Sequence, residues 1–246
     1  MTNLSVNLNK VALLRNSRTI GLPSVTKAAE TCIRAGTHGL TVHPRPDERH
    51  IRRSDVYELA ELLKAHPGIE FNIEGNPLEP KFMAIIKDVQ PDQVTLVPDD
   101  PKQFTSDHGW NMAQDGDRLR PIVEEIQSLG ARVSVFMDPD PAQILLVKPK
   151  TGSDRIELYT EPYATAHREG QGERHFTAYA EAAKVAQREG LGVNAGHDLN
   201  LDNLPQFLTI PNILEVSIGH ALTADALDIW LFNAVKAYLE ATSAHP

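Results

Sequence analysis

Eight short β-rich runs, each followed by a longer stretch of helical periodicity, predict an α/β fold of the (β/α)8 TIM-barrel class, with one domain over residues 1–246 and extra loop and helix elements. The count supports closure, because an open doubly wound sheet usually stops at five or six strands and leaves edges to protect. Polar and charged residues collect just after the carboxyl ends of the runs, the face on which such barrels carry their chemistry.

The first strand is predicted at 5–9 (Ser-Val-Asn-Leu-Asn), followed by a helix at 25–35 in which Ala28, Ala29, Cys32, Ile33 and Ala35 recur at helical spacing and Gly36 offers a left-handed cap. The second strand, 39–43, leads to a helix at 54–65 with Ser54 as N-cap and Gly68 beyond it. The third, 69–74, precedes a helix at 79–89, and the fourth, 93–98, precedes one at 117–129 bounded by Asp117 and Gly130. The fifth, 132–138, leads to 141–148, where Asp140-Pro141 puts proline in a first helical turn. The sixth, 155–160, leads to 174–189 and Gly190; the seventh, 191–195, to 201–208; the eighth, 213–219, to 223–241. In that last helix Trp230, Leu231 and Phe232 are expected to pack on the barrel. Two irregular stretches, 98–116 and 162–172, leave the ends of strands four and six, and loops of that length are expected to be lids or binding loops. The segment 99–116 is the candidate for closure over the site.

A formal net charge of -9 argues against a general nucleic-acid or anionic-membrane surface, so an anionic ligand needs a local cationic pocket. The single cysteine, Cys32, is read as a small core hydrophobe. The first ten residues carry no apolar stretch flanked by basic residues, and no run approaches the ~18 apolar residues of a membrane span. A cytoplasmic location is the expectation.

Strand one yields Asn7, Asn9 and Lys10; strand two runs into His43, Arg45, Asp47, Arg49 and His50; strand three ends at Glu74 and strand five at Asp138. Strand six gives Glu157, Tyr159 and Thr160, strand seven Asn194 and His197, and strand eight Gly219 and His220. Prolines 44 and 46 stiffen the backbone around Arg45, which suits bidentate capture of a phosphate or carboxylate. Arg15 and Arg18 either add anion contacts or form a solvated basic patch. Two Gly-His pairs, 196–197 and 219–220, fall after strands seven and eight, and the second leads into a helix whose N-H groups can cradle phosphate.

Rival chemistries lack their marks. There is no HExxH and no cysteine cluster, Asn7 and Asn9 replace the His-x-His of metal-dependent barrels, and neither Gly-x-Ser-x-Gly nor a Gly-x-Gly-x-x-Gly after strand one occurs. No strand interior carries the lysine of a Schiff-base aldolase.

Six segments, in order, carry a resemblance: Ser5-Val-Asn-Leu-Asn9 with Leu14-Arg-Asn-Ser-Arg18, Thr41-Val-His-Pro-Arg-Pro-Asp-Glu-Arg-His50, Asn72-Ile-Glu74, Leu96-Val-Pro98, Val193-Asn-Ala-Gly-His197 and Ile218-Gly-His220. Across almost its whole length the chain resembles the pyridoxine 5'-phosphate synthase family. The resemblance implies condensation of 1-deoxy-D-xylulose 5-phosphate with 3-amino-2-oxopropyl phosphate to give pyridoxine 5'-phosphate, phosphate and water, in a homo-octamer with no metal and no organic cofactor. It implies His43 as proton acceptor, Glu74 as a second acid/base and His197 as proton donor. It further implies Arg45, His50 and Thr105 on the deoxyxylulose phosphate, and Asn7, Arg18, Gly219 and His220 on the aminooxopropyl phosphate. The chain departs from the pattern at Asn9-Lys10, where many members have Asp-His, and at Asp198, where many have glycine; both positions stay within the expected binding set. A longer loop before strand three leaves Glu70 as a rival to Glu74, and Glu74 is preferred because it keeps the motif and ends the strand. The alternative function is a non-catalytic barrel that binds phosphometabolites.

Overall fold

The computed structural model describes residues 1–100, 103 and 105–244. Its eight parallel strands are β1 (Asn3–Asn7), β2 (Gly39–Val42), β3 (Glu70–Gly75), β4 (Gln93–Leu96), β5 (Arg132–Met137), β6 (Arg155–Tyr159), β7 (Gly192–Gly196) and β8 (Ile213–Ile218). They pair in sequence order and β8 closes on β1, so the predicted (β/α)8 barrel is what the chain forms. Around it lie α1 (Asn9–Asn16), α2 (Val25–Ala35), α3 (Arg53–Leu63), α4 (Pro80–Val89), α5 (Met112–Ser128), α6 (Pro141–Ile144), α7 (Val147–Thr151), α8 (Glu161–Arg168), α9 (Gly172–Arg188), α10 (Leu204–Phe207), α11 (His220–Ile229) and α12 (Leu231–Ser243).

The strands alternate with period two, and the alternation sorts chemistry. Leu4 and Val6, Leu40 and Val42, Phe71 and Ile73, Val133 and Val135, Ile156 and Leu158 are buried in the main core beneath the helices. The intervening positions face inward and are polar. Ser5 Oγ lies 2.7 Å from Thr41 Oγ1, Asn72 Nδ2 donates to Thr41 Oγ1 at 3.3 Å, and Thr95 Oγ1 donates to Asn72 Oδ1 at 3.0 Å, a belt crossing four strands. Below it Gln93 Nε2 reaches across the barrel to Glu215 Oε1 at 3.2 Å. Barrel interiors are usually filled by branched apolar residues; here buried hydrogen bonds fill that role, and they satisfy polar groups that would otherwise be costly in the interior.

Element boundaries differ from the sequence expectation where side chains take over backbone groups. Strand one was expected to reach Asn9. Instead Asn7 Oδ1 accepts the Asn9 N-H at 2.9 Å, and α1 starts there, within a stretch expected to be loop. The fourth crossover helix begins at Met112 rather than 117, because Asn111 Oδ1 caps it by accepting the Gln114 N-H at 3.2 Å. Asp55, not Ser54, organises the start of α3 by accepting the Arg52 N-H at 2.7 Å. The stretch 162–172, expected to be irregular, holds most of α8, with Pro162 in its first turn. Gly36, Gly130 and Gly190 adopt the left-handed cap (φ 98°, 92° and 73°), whereas Gly68 does not.

Two expectations are corrected. Arg15 is no anion contact: it is buried, paired with Asp55 through Nη1 and Nη2, and donates from Nη2 to the His50 carbonyl at 3.1 Å. Trp230 does not pack on the barrel; it stands 79% exposed at a break between α11 and α12, where its φ of 70° ends the helix, and Phe232 is 40% exposed. Of the three, only Leu231 packs against the core.

Candidate active site

A cavity of about 270 Å³ opens at the carboxyl ends of the strands. It gathers Asn7, Asn9 and Lys10 from the β1–α1 junction, His43, Arg45 and His50 after β2, Glu74 from β3, and Thr105 after β4. His197 and Asp198 after β7 complete the lining, with Gly219 and His220 after β8, where Gly219 lies against Asn7. Of the site residues inferred from sequence, Arg18 alone does not line it; Arg18 is exposed just beyond α1. Glu70, the rival carboxylate, sits at the opposite end of β3, where Arg132 Nη2 donates to its Oε2 at 2.5 Å. A second cavity, about 370 Å³, adjoins the first and shares His43 and Arg45 with it, and Asp99 lines its wall.

Asn9 fixes the approach of β2, because its Oδ1 accepts the His43 N-H at 2.9 Å. The His43 imidazole then lies between two carboxyl groups, with Nδ1 3.8 Å from Glu74 Oε2 and Nε2 3.7 Å from Asp99 Oδ2. Asn7 Nδ2 donates to the same Glu74 oxygen at 3.5 Å. His50 Nδ1 accepts the Ile51 N-H at 2.9 Å, which leaves Nε2 as the protonated nitrogen of its neutral ring. Arg45 is held by Asp99 Oδ2 at 2.8 Å from Nη1, and its Nη2 donates to the carbonyls of Asp100 (3.0 Å) and Gln103 (2.8 Å).

His197 and Asp198 are consecutive non-glycine residues with φ of 85° and 57°. Backbone held in this region costs of order 1–3 kcal/mol per residue and needs surroundings that enforce it. Thr160 Oγ1 lies 2.6 Å from the carbonyls of both Gly196 and His197, Asn203 Nδ2 donates to the Asp198 carbonyl at 3.2 Å, and the His197 ring packs on Phe136 and Tyr159 at centroid distances of 5.0 and 5.4 Å.

Burial sets the protonation states. It pushes Glu74 up to about 8, with the charges of Asp99 and then Glu215 adding to the effect. It drives His43 down to about 3, helped by Arg45, His197 and Arg49, and His50 likewise to about 3. His197 is also lowered, by the same desolvation. Near neutral pH the cavity therefore presents uncharged imidazoles beside a protonated carboxyl, a set able to move protons in either direction.

Glu157 belongs to this site although the sequence placed it only among rim residues. It is 1% exposed, lines the cavity, makes no hydrogen bond through Oε2, and is pushed well above the ordinary carboxylate range by burial and then by Glu74. Its signal was a charge inside a β-rich run, in Arg155-Ile-Glu157-Leu-Tyr159. Asp99 and Ser106 were missed as well, since loop polarity alone does not mark them. Gly196 makes room for Glu157: a Cβ there would lie 2.5 Å from Glu157 Oε1. Gly196→Ala is expected to displace that carboxyl and lower turnover at least about tenfold, as misplacement in a preorganised site does; circular dichroism and steady-state rates check it, and full activity would contradict the close approach.

The fold and the cavity define a class: a closed β/α barrel that carries a desolvated acid/base cluster flanked by cationic and helix-terminal groups at its carboxyl face. Within that class the chain belongs to the PdxJ family, whose model, described as "Pyridoxal phosphate biosynthesis protein PdxJ", matches residues 4–244. The chain is 55% identical over 244 residues to the pyridoxine 5'-phosphate synthase of Albidiferax ferrireducens, covering 97% of this chain and 96% of that one. It is 52% identical over 248 residues to the protein of that name from Xanthomonas campestris pv. campestris, covering 97% and 95%. Among solved structures, 3-hexulose-6-phosphate synthase from Salmonella typhimurium superposes with a TM-score of 0.67 over 100% of both chains at 14% identity, a likeness of fold alone.

Proposed function

We propose that this chain condenses 1-deoxy-D-xylulose 5-phosphate with 3-amino-2-oxopropyl phosphate to pyridoxine 5'-phosphate, phosphate and water. One observation carries the reading: a single cavity is lined both by groups suited to anions, Arg45 and His50 after β2 and Gly219 and His220 at the start of α11, and by a cluster of neutral imidazoles and a protonated carboxyl. Joining an amine to a ketone, expelling phosphate and water, and closing an aromatic ring demand repeated proton transfers, for which this set is suited. Two dianionic substrates also demand two separated anion sites. Arg45, His50 and Thr105 hold the deoxyxylulose phosphate, with Asn9 and Lys10 beside it. Asn7, Gly219, His220 and the backbone at Asp198 hold the aminooxopropyl phosphate, where the start of α11 supplies unpaired N-H groups. His43 accepts a proton, Glu74 alternates between donor and acceptor, and His197 donates.

Incubating the purified chain with both substrates and detecting pyridoxine 5'-phosphate by mass spectrometry tests the reading. Product that depends on both substrates is the expected result. Saturable binding of either phosphate ester without turnover favours the non-catalytic barrel instead. Among the described residues no helix is long and apolar enough to cross a membrane. The homo-octamer implied by the family would cover apolar surface now exposed at Leu14, Leu227 and Trp230, and sedimentation of the purified chain checks it.

A further inference from the structure

Asp99 takes no part in the roles above, yet a single one of its oxygens touches both the proton-transfer group and the anion-binding group. Oδ2 lies 2.8 Å from Arg45 Nη1 and 3.7 Å from His43 Nε2, and it accepts the Ser106 hydroxyl at 2.9 Å. Asp99 is 5% exposed and Arg45 3%, so their mutual attraction is little screened by solvent. The alternative, that Asp99 only braces the β4 loop, accounts for the Ser106 bond but not for a carboxylate aimed between the guanidinium and the imidazole.

Burial and the neighbouring Arg45 push His43 down to about 3, too weak a base to accept a proton readily near neutral pH. The charged and titratable groups facing it are Glu74 from β3, Arg45, Arg49 and His50 from the segment after β2, Asp99 after β4, and His197 after β7, with Lys10 of α1 across the same cavity. Arg45 lowers its proton affinity, and Asp99 is the nearest carboxylate on its Nε2 side.

We propose that Asp99 is a positioning residue that links anion binding to proton transfer: when a phosphate engages Arg45, the Asp99 carboxylate is freed from the guanidinium and its charge falls on the His43 Nε2-H, turning His43 into an effective base only when substrate is present. The proposal rests on the reading of His43 as proton acceptor and Arg45 as phosphate ligand.

The test uses the full-length chain with 13C-labelled histidine, the His43 resonance being assigned by its loss in His43→Asn. Its titration is followed by NMR with and without inorganic phosphate. In the wild type, phosphate is expected to raise the His43 pKa by about one unit or more, as a nearby opposite charge does. Asp99→Asn is expected to abolish that rise. Ser106→Ala removes a hydrogen bond that stabilises the carboxylate and should shift the His43 pKa upward, a sign that mere loosening of the loop would not give; it also carries the test if the Asn variant fails to fold. With both substrates, Asp99→Asn should lower kcat about tenfold or more and move the acid limb of the pH profile. A His43 titration that ignores phosphate in the wild type, or that is unchanged in both variants, overturns the proposal. Absence of pyridoxine 5'-phosphate from wild-type incubations would instead overturn the proposed reaction and leave the NMR result standing by itself.

Discussion

Glu74→Gln is expected to lower turnover by ~100-fold or more while the barrel stays folded, in line with the contribution of a general acid/base. The amide keeps the shape and can still accept from Asn7 Nδ2, now 3.5 Å from Oε2, but it cannot exchange a proton with a ligand or with His43. His43→Asn and His197→Asn should cause losses of the same order, since each removes a neutral imidazole from the same cavity. Glu70→Gln is the control, because Glu70 pairs with Arg132 at the far end of β3 and should leave kcat within a few fold. Near-normal turnover in Glu74→Gln with an inactive Glu70→Gln would reverse the assignment.

The same substitution should alter stability with pH. The folded chain holds the Glu74 proton up to about 8, whereas the unfolded chain releases it near the ordinary glutamate value of 4.5. The folded state therefore binds more protons across that window, and stability declines as pH rises through it. Glu74→Gln lacks this titration, so its thermal midpoint should gain on the wild type as pH rises from about 5 to about 8. An inactive variant that is relatively more stable in alkali separates a catalytic loss from misfolding.

Arg15→Met is expected to destabilise the chain by about 3 kcal/mol or more, the usual cost of stripping one partner from a buried ion pair. Asp55 would remain 4% exposed with its charge uncompensated, and the bonds from Arg15 to Asp55 and to the His50 carbonyl would be lost together. Because Arg15 ties α1 to the start of α3 and to the loop that bears His50, the binding of the deoxyxylulose ester should weaken as well. Replacing both partners by apolar residues, Arg15→Met with Asp55→Leu, should recover much of the stability, since no buried charge is then left unpaired. Urea denaturation of the single and double variants checks both statements.

The barrel was legible because its strands and helices carry separate periodicities, and all eight runs fall on strands. Helix α1 was not, since Asn9-Lys10 reads as the polar end of a strand until the Asn7 side chain is seen to take the Asn9 N-H. The glutamate at the end of β3 could be chosen over Glu70 because strand direction places residue 74 at the carboxyl face. The partners of Arg15 could not be read, as a cation in a polar loop looks the same whether it meets a phosphate or, 40 residues on, Asp55. Asp99 was hidden for a similar reason: its meaning lies in one oxygen shared by three residues drawn from two loops. Spacing along a chain records local periodicity, and it is silent on convergence from distant segments.

Asn7, His43, Glu74, His197 and His220 are expected to enclose one space that holds two phosphate groups at once. A crystal structure of the chain soaked with pyridoxine 5'-phosphate and inorganic phosphate tests it directly. Two phosphorus peaks are expected in this cavity, one against Arg45, His50 and Thr105 and the other against Gly219 and His220. A single peak at saturation, or phosphates bound away from the carboxyl ends of the strands, would contradict it.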